Sequence, residues 1–236
     1  MKKHLKLILL LLTAFAFSAS YAQTAEEIVA KHIEAIGGTE AWRKVSTIRQ
    51  EGTMQVQGAE VTVVRTVLHQ KGSRQDISVA GMNGFSIITP TAGWNFMPFQ
   101  GQTQPEPLTD EDIKEGQPDL DAQDELIDYK DKGTTVEMIG KDDVDGTECF
   151  KLLVTFKSGK TESLFIDTKS YHIIRQIAKQ KANGQEVEVI TNLSNYKKLP
   201  EGIVVAMSIG LPFGELNVTK VEINKPVDEA IFKPAK

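Results

Sequence analysis

The chain has a single cysteine, Cys149, among its 236 residues. No internal disulfide can form, so stability has to come from burial of apolar surface. Chemistry-bearing motifs are missing as well. There is no G-x-S-x-G elbow, no H-E-x-x-H, no C-x-x-C, no phosphate-binding loop and no G-x-G-x-x-G fingerprint, so the common hydrolase, zincin, redox and nucleotide signatures are excluded. Histidine is scarce. His32, His69 and His172 are too scattered for a metal site and read as surface or boundary residues. Asp119-Leu120-Asp121, with Asp124 and Glu125, lacks the central glycine and the twelfth-position ligand of an EF-hand loop. No metal, no cofactor and no catalytic residue is therefore expected, and the chain does not read as an enzyme. Basic charge is also short: 27 Lys and Arg stand against 32 Asp and Glu, a net charge of −5. Such a balance argues against a nucleic-acid partner or an anionic membrane surface.

What is present begins with a leader. Lys2, Lys3 and Lys6 precede the apolar run Leu7–Leu12, extended by Ala14–Phe17. Ser20-Tyr21-Ala22 then forms a small-x-small cleavage site, so residues 1–22 read as a secretory signal peptide cut after Ala22. The run is shorter than the ~20 residues a spanning helix needs. No cysteine follows the cut, so the exported product is not lipidated, and losing three lysines makes it more acidic. The mature part, residues 23–236, is of a size that suits one domain.

Thr24-Ala25-Glu26-Glu27 is a capping box. Ile28, Val29, Ile33 and Ile36 follow at helical spacing, and Gly37-Gly38 supplies the stop. A short helical turn at Glu40–Lys44 is anchored by Trp42. From Val45 the period changes to two. Ile48, Gly52, Met54 and Val56 share one face, and strands at Ala59–Gln70 and Arg74–Ala80 follow. After residue 134 the pattern resumes: Phe150, Leu152, Val154 and Phe156 alternate with polar neighbours, as do Ile203, Val205, Met207, Ile209 and Leu211. Asp145-Gly146, Ser158-Gly159 and Asn183-Gly184 are hairpin turns between these runs. Sequential strands with tight turns and one apolar face each predict a mainly β fold with a few helices. The expected architecture is a curved antiparallel sheet of about 11 to 12 strands in an unclosed half-barrel.

One stretch interrupts this regularity. Phe85, Trp94, Phe96, Met97 and Phe99 form the densest aromatic cluster, and an acidic segment with apolar residues at helical spacing follows it. Residues from about 100 to 132 read as a lid, with Leu120, Leu126 and Ile127 on the inner face of a helix whose acids are solvated. One N-terminal helix and one lid are little material to fill a curved sheet, so the concave side either packs itself or leaves ligand space. Met54, Phe85, Trp94, Phe96, Met97 and Phe99 are candidate lining residues. Phe150, Phe156 and Met207 join them from the later strands, and Ile113 and Leu120 from the lid. Arg65 shares a strand face with Val61, Val63 and Val67. A guanidinium aimed at the apolar side needs a carboxylate or carbonyl partner, which the acidic lid offers, and such a contact would act as a latch.

The chain resembles the LolA-like family of periplasmic lipoprotein carriers, in the form common in Bacteroidetes. Glu34-Ala35-Ile36-Gly37-Gly38-Thr39-Glu40-Ala41-Trp42 carries part of the likeness. Trp94-Asn95-Phe96-Met97-Pro98-Phe99 is similar to the family's Trp-x-aromatic-x-Pro-Phe strand, and Val227-Asp228-Glu229-Ala230-Ile231-Phe232 to its closing Val-Asp-x-Ala-x-Phe. The resemblance implies a non-acylated, monomeric periplasmic protein. Its apolar cavity would take lipoprotein acyl chains, or another lipid, from an inner-membrane release complex and pass them to an outer-membrane acceptor. A lipid- or lipoprotein-sensing binding module on the same fold is the alternative. The chain departs from the pattern at the lid latch: where better-known members carry a basic residue before a proline, it has Lys71-Gly72. Arg65, Lys71 and Arg74 remain rival latch candidates.

Overall fold

The computed structural model of the protein describes residues 23–182 and 185–234. The leader expected at residues 1–22 and the turn expected at Asn183-Gly184 lie outside the described residues.

Helix α1 (Ala25–Ala35) starts at the capping box: Thr24 Oγ1 accepts from the Glu27 amide at 3.2 Å, and Glu27 Oε2 accepts from the Thr24 amide at 3.1 Å. It ends at Gly37, which sits at φ 111°; a Cβ there would lie 2.3 Å from the Gly202 carbonyl oxygen. Only glycine meets both demands. The short α2 (Thr39–Trp42) follows, its Trp42 buried with the indole N–H donating to the Ile36 carbonyl at 3.0 Å.

Thirteen strands form one antiparallel sheet. They are β1 (Thr47–Val56), β2 (Ala59–Leu68), β3 (Gly72–Val79), β4 (Met82–Ile88), β5 (Gly93–Phe96), β6 (Glu106–Pro107), β7 (Thr135–Val144), β8 (Thr147–Thr155), β9 (Thr161–Asp167), β10 (Ile173–Ala182), β11 (Gln185–Lys198), β12 (Val204–Leu211) and β13 (Gly214–Ile223). Their order is β6-β5-β4-β3-β2-β1-β13-β12-β11-β10-β9-β8-β7. Every neighbour pair but one is consecutive in sequence; the exception, β1 with β13, joins the two halves. The outer strands β6 and β7 do not pair, so the sheet is an unclosed half-barrel, one strand beyond the sequence expectation. The extra strand is the two-residue β6.

Residues 108–134 connect the two free edges and include helix α3 (Asp110–Glu115) and a 3-10 turn at Gln117–Leu120. The helix expected through Leu126 and Ile127 does not form. Asp121 Oδ1 accepts from the Gln123 amide at 2.9 Å and Asp124 Oδ1 from the Leu126 amide at 3.0 Å. These local side-chain bonds compete with helical ones and hold a series of turns. The apolar residues are nonetheless inside: Leu120, Leu126 and Ile127 are all buried.

Two cores share the concave side. One gathers Ile36, Trp42 and Val45 with Ile48, Val67, Val205 and Ile223 of the sheet, and includes the lid residues Ala122 and Ile127. The other packs Ile28 and Val29 of α1 and Leu126 of the lid on Phe150, Leu152, Val154, Leu164 and Ile166. Adjacent lid residues thus enter different cores, each side chain contributing about 1.5–3 kcal/mol by burial. On the convex side Val144, Cys149 and Phe165 make a small cluster. Burial pushes the Cys149 thiol up to about 11, which leaves it unreactive.

Candidate functional site

The lid is fastened by its own carboxylates. His32, buried to 1% exposure on α1, donates through Nδ1 to the Tyr171 carbonyl at 2.8 Å, and its Nε2 lies 3.4 Å from Asp124 Oδ2. Burial alone would lower the imidazole's pKa, but the facing Asp124 carboxylate and the Tyr171 carbonyl raise it, and the same pairing lowers that of Asp124. His69, just past β2, has Nδ1 3.1 Å from Asp121 Oδ1, and Lys132 Nζ lies 2.5 Å from the other oxygen of that carboxylate. The guanidinium of Arg43 grips Asp128 through two donors at 2.7 and 2.8 Å. The Gln70 amide donates to the Leu120 carbonyl at 2.8 Å.

His32 corrects a sequence expectation. The sequence places it at the surface or a boundary, yet it is fully inside. The signal was available: Ile28, His32 and Ile36 are four apart, so they share the buried face of α1. His69, half-buried and paired, fits a boundary position.

Beneath the lid lies a cavity of about 700 Å³ with a wall of mixed polar and apolar surface. His69, Gln70, Lys114, Gln117, Asp121, Glu125, Lys132 and Lys157 contribute, with Phe156 as the one aromatic. Gln176 Nε2 on β10 donates to Glu125 Oε1 at 2.8 Å. Burial, with the nearby charges of Asp124 and Glu162, pushes the Glu125 carboxyl up to about 8. Among the described residues no three His, Cys, Asp or Glu side chains come together to hold a metal ion.

Beyond the cavity the concave face is apolar and only partly covered. Register places Val61 and Val63 of β2 beside Val79 and Ile77 of β3, on the same face as Val67 of the core. Ile209 of β12 pairs with Leu216 of β13 and Leu193 of β11, and Val189 faces Ala178 across β10 and β11. Val63, Ile77, Val79, Val189, Ile209, Leu211 and Leu216 are all half-buried, and Val187 is 39% exposed. No charged residue occurs from Ile77 to Pro105 or from Ile203 to Gly214.

The expected lining residues are divided between the faces. Met54, Phe150 and Leu120 are buried on the concave side, Met54 with its Cε 3.3 Å from where a Gly214 Cβ would sit. Phe156 and Met207 pack half-buried against the two cores, and Ile113 is half-buried on α3. A Cβ on Gly84 would meet Phe99 and Met97, so these two cover the concave face there. Phe85, Ile87, Trp94 and Phe96 are in register with one another and with Arg74 on the convex face. Their alternation with Ser86, Ile88 and Asn95 turns them away from the cavity. Phe85 and Phe96 pack 5.7 Å apart, with the Arg74 guanidinium 4.8 Å over Phe85.

The three basic candidates also part company. Arg65 Nη2 donates to the Asp119 carbonyl of the lid at 3.4 Å. Lys71 pairs with Glu229 at 2.6 Å, and Arg74 binds Asp76 and the Ile231 carbonyl. Both are turned to the C-terminal segment, whose Phe232 packs on Gly72.

The chain is thus an unclosed antiparallel half-barrel with a strap across its opening. No protein-family model matches the chain, and no curated protein matches it. Solved structures do. A domain assigned as an outer membrane lipoprotein-sorting protein from Vibrio parahaemolyticus is similar at a TM-score of 0.53 and 13% identity, over 87% of this chain and 94% of that one. A LolA superfamily protein from Nitrosomonas europaea is similar at 0.55 and 14%, over 90% and 99%. A DUF1329 family protein from Desulfovibrio piger gives 0.54 and 12%, over 90% and 98%. The fold is LolA-like.

Proposed function

We propose that the chain is a periplasmic carrier that shields an acyl chain, chiefly that of a lipoprotein, in transit between two membranes. The observation that carries this reading is the half-covered apolar field of the concave face around Val63, Ile77, Val79, Ile209 and Leu216, with α1 and the lid closing the other end. A face of this kind is stabilised by burial at ~25 cal/mol per Å², and an acyl chain supplies matching surface without demanding polar partners. Methionines at Met54, Met97 and Met207 suit chains of varied length, since thioethers repack readily. Binding and release are passive: the lid admits the chain, and an acceptor that covers it better removes it. A cleaved leader at residues 1–22, a single mature domain from 23 to 236, an inner-membrane donor and an outer-membrane acceptor complete the proposal. Among the described residues no helix is long and apolar enough to cross a membrane.

The test is native mass spectrometry of the protein purified from its own periplasm, with displacement of a fluorescent fatty acid as a second readout. Bound acylated peptide or lipid is expected, and Val63→Asp with Ile77→Asp should remove it while circular dichroism is unchanged. A protein that emerges empty and does not bind the fluorescent acid would overturn the reading.

A further inference from the structure

A row of polar side chains crosses the concave face. Gln50 on β1 is paired with Arg65 on β2, Arg65 with Gln75 on β3, Gln75 with Ser86 on β4, and Ser86 with Asn95 on β5. Each is the direct neighbour of the next, so the five lie in one line across five strands, spanning roughly 19 Å at the usual strand spacing. The line is on the inner side. Gln50 shares its face with Ile48 of the core, Arg65 reaches Asp119 of the lid, and Ser86 shares its face with Ile88, whose Cδ1 lies 2.4 Å from where a Gly116 Cβ would sit.

All five are half-buried. Gln50, Gln75, Ser86 and Asn95 have no side-chain hydrogen-bond partner among the described residues, whereas no fully buried side-chain polar atom there lacks one. Their amides and hydroxyl therefore open onto accessible space. Arg65 makes one long bond to a neutral carbonyl, and no carboxylate among the described residues pairs with it. On the lid side of the row are Ile48, Val67 and Ile88. On the other side are Val63, Ile77 and the Met97 and Phe99 side chains over Gly84, the start of the apolar field.

A purely hydrocarbon ligand laid across this face would strip water from five polar groups and return nothing, which is costly. A ligand with carbonyl acceptors and an anion at the root of its chains would satisfy them. Building on the carrier reading, we propose that the Gln50–Arg65–Gln75–Ser86–Asn95 row is the head-group site of a diacylglyceryl ligand. Its amides donate to the ester carbonyls, Arg65 pairs with an anionic group, and the chains lie over Val63 and Ile77. Arg65 then exchanges the Asp119 carbonyl for the ligand's anion, so that head-group binding and release of one lid contact are the same event.

The experiment compares two probes on the wild type, Arg65→Met, Arg65→Lys and the double variant Gln75→Leu/Asn95→Leu: a dioleoyl phosphatidylglycerol carrying a fluorophore at the chain end, and an uncharged pyrenyl alkane. A synthetic diacylglyceryl lipopeptide, tested as a competitor, tells a phospholipid head from a lipidated protein. Arg65→Met is expected to weaken phosphatidylglycerol at least tenfold, Arg65→Lys to restore most of that, and the double variant to weaken it several-fold. Alkane binding should be unchanged throughout. Equal binding of both probes by all variants, or parallel loss of both in a variant, would overturn the head-group site and leave the carrier reading standing. Failure of the wild type to bind either probe would overturn the carrier reading itself.

Discussion

The two ends of the concave face are built on opposite rules. At one end the lid carries Asp119, Asp121, Asp124, Glu125 and Asp128, four of them meeting His69, His32, Gln176 and Arg43 of the frame. At the other the hairpins at Gln57-Gly58, Ala80-Gly81 and Pro212-Phe213 carry no charge, and Met82 and Phe213 stand 43% and 61% exposed. The same sheet thus holds its own cover with directional charged and amide contacts, and turns these three hairpins without charge. Paired charge marks where the lid meets the frame; the half-covered apolar field lies away from it.

The sharpest way to break this contrast is to empty the lid's anchors. Leu126→Ala and Ile127→Ala, each fully buried in a different core, should each cost about 2–5 kcal/mol in urea unfolding. Losses below 1 kcal/mol would mean that the lid is not part of the cooperative fold.

Titration comes next. Glu125, raised from 4.5 to about 8, and His32, also raised, both bind more protons folded than unfolded. Their contribution is fully present at low pH and lost as pH rises through the folded values: over about 4.5 to 8 for Glu125, and above 6.5 for His32. Asp124, lowered by His32, works the other way and only below its ordinary range near 3.8. Stability should therefore fall from pH 5 to pH 9, by at most about 1.4 kcal/mol per pH unit for each group. Glu125→Gln should flatten the curve, and an unaltered slope would remove Glu125 from the account.

The smallest effect is expected at the uncharged end. Phe213→Ser should change stability by less than about 0.5 kcal/mol, since the ring is largely in water already. A clear loss would reveal packing that the exposed position does not suggest.

Much of the fold was legible in single strands: the capping box, the change of period after Val45, and the inward series Phe150 to Phe156. The faces of the aromatic stretch were not. From Ile77 to Pro105 no charged residue marks the solvent side, so period two alone cannot say whether Trp94 or Asn95 points inward. The polar row is less visible still, because it exists only once five strands are set in register. Arg65 could be singled out as a guanidinium among valines; Gln50, Gln75, Ser86 and Asn95 look ordinary within their own strands. The lid's turns were hidden by their apolar spacing, which suits a helix, while Asp121 and Asp124 tie the backbone into something else.

The β1–β13 seam has a mechanical meaning. Strands β1 to β6 and β7 to β13 are two sequential leaves, and the seam is the one strand pairing that binds them, interrupted by a register shift at Glu51/Gly52. Opposite that spine, the only covalent tie between the free margins is the lid. The molecule is therefore a book with a clasp. The lid does more than roof a pocket: it ties the two leaves together on the side away from their spine.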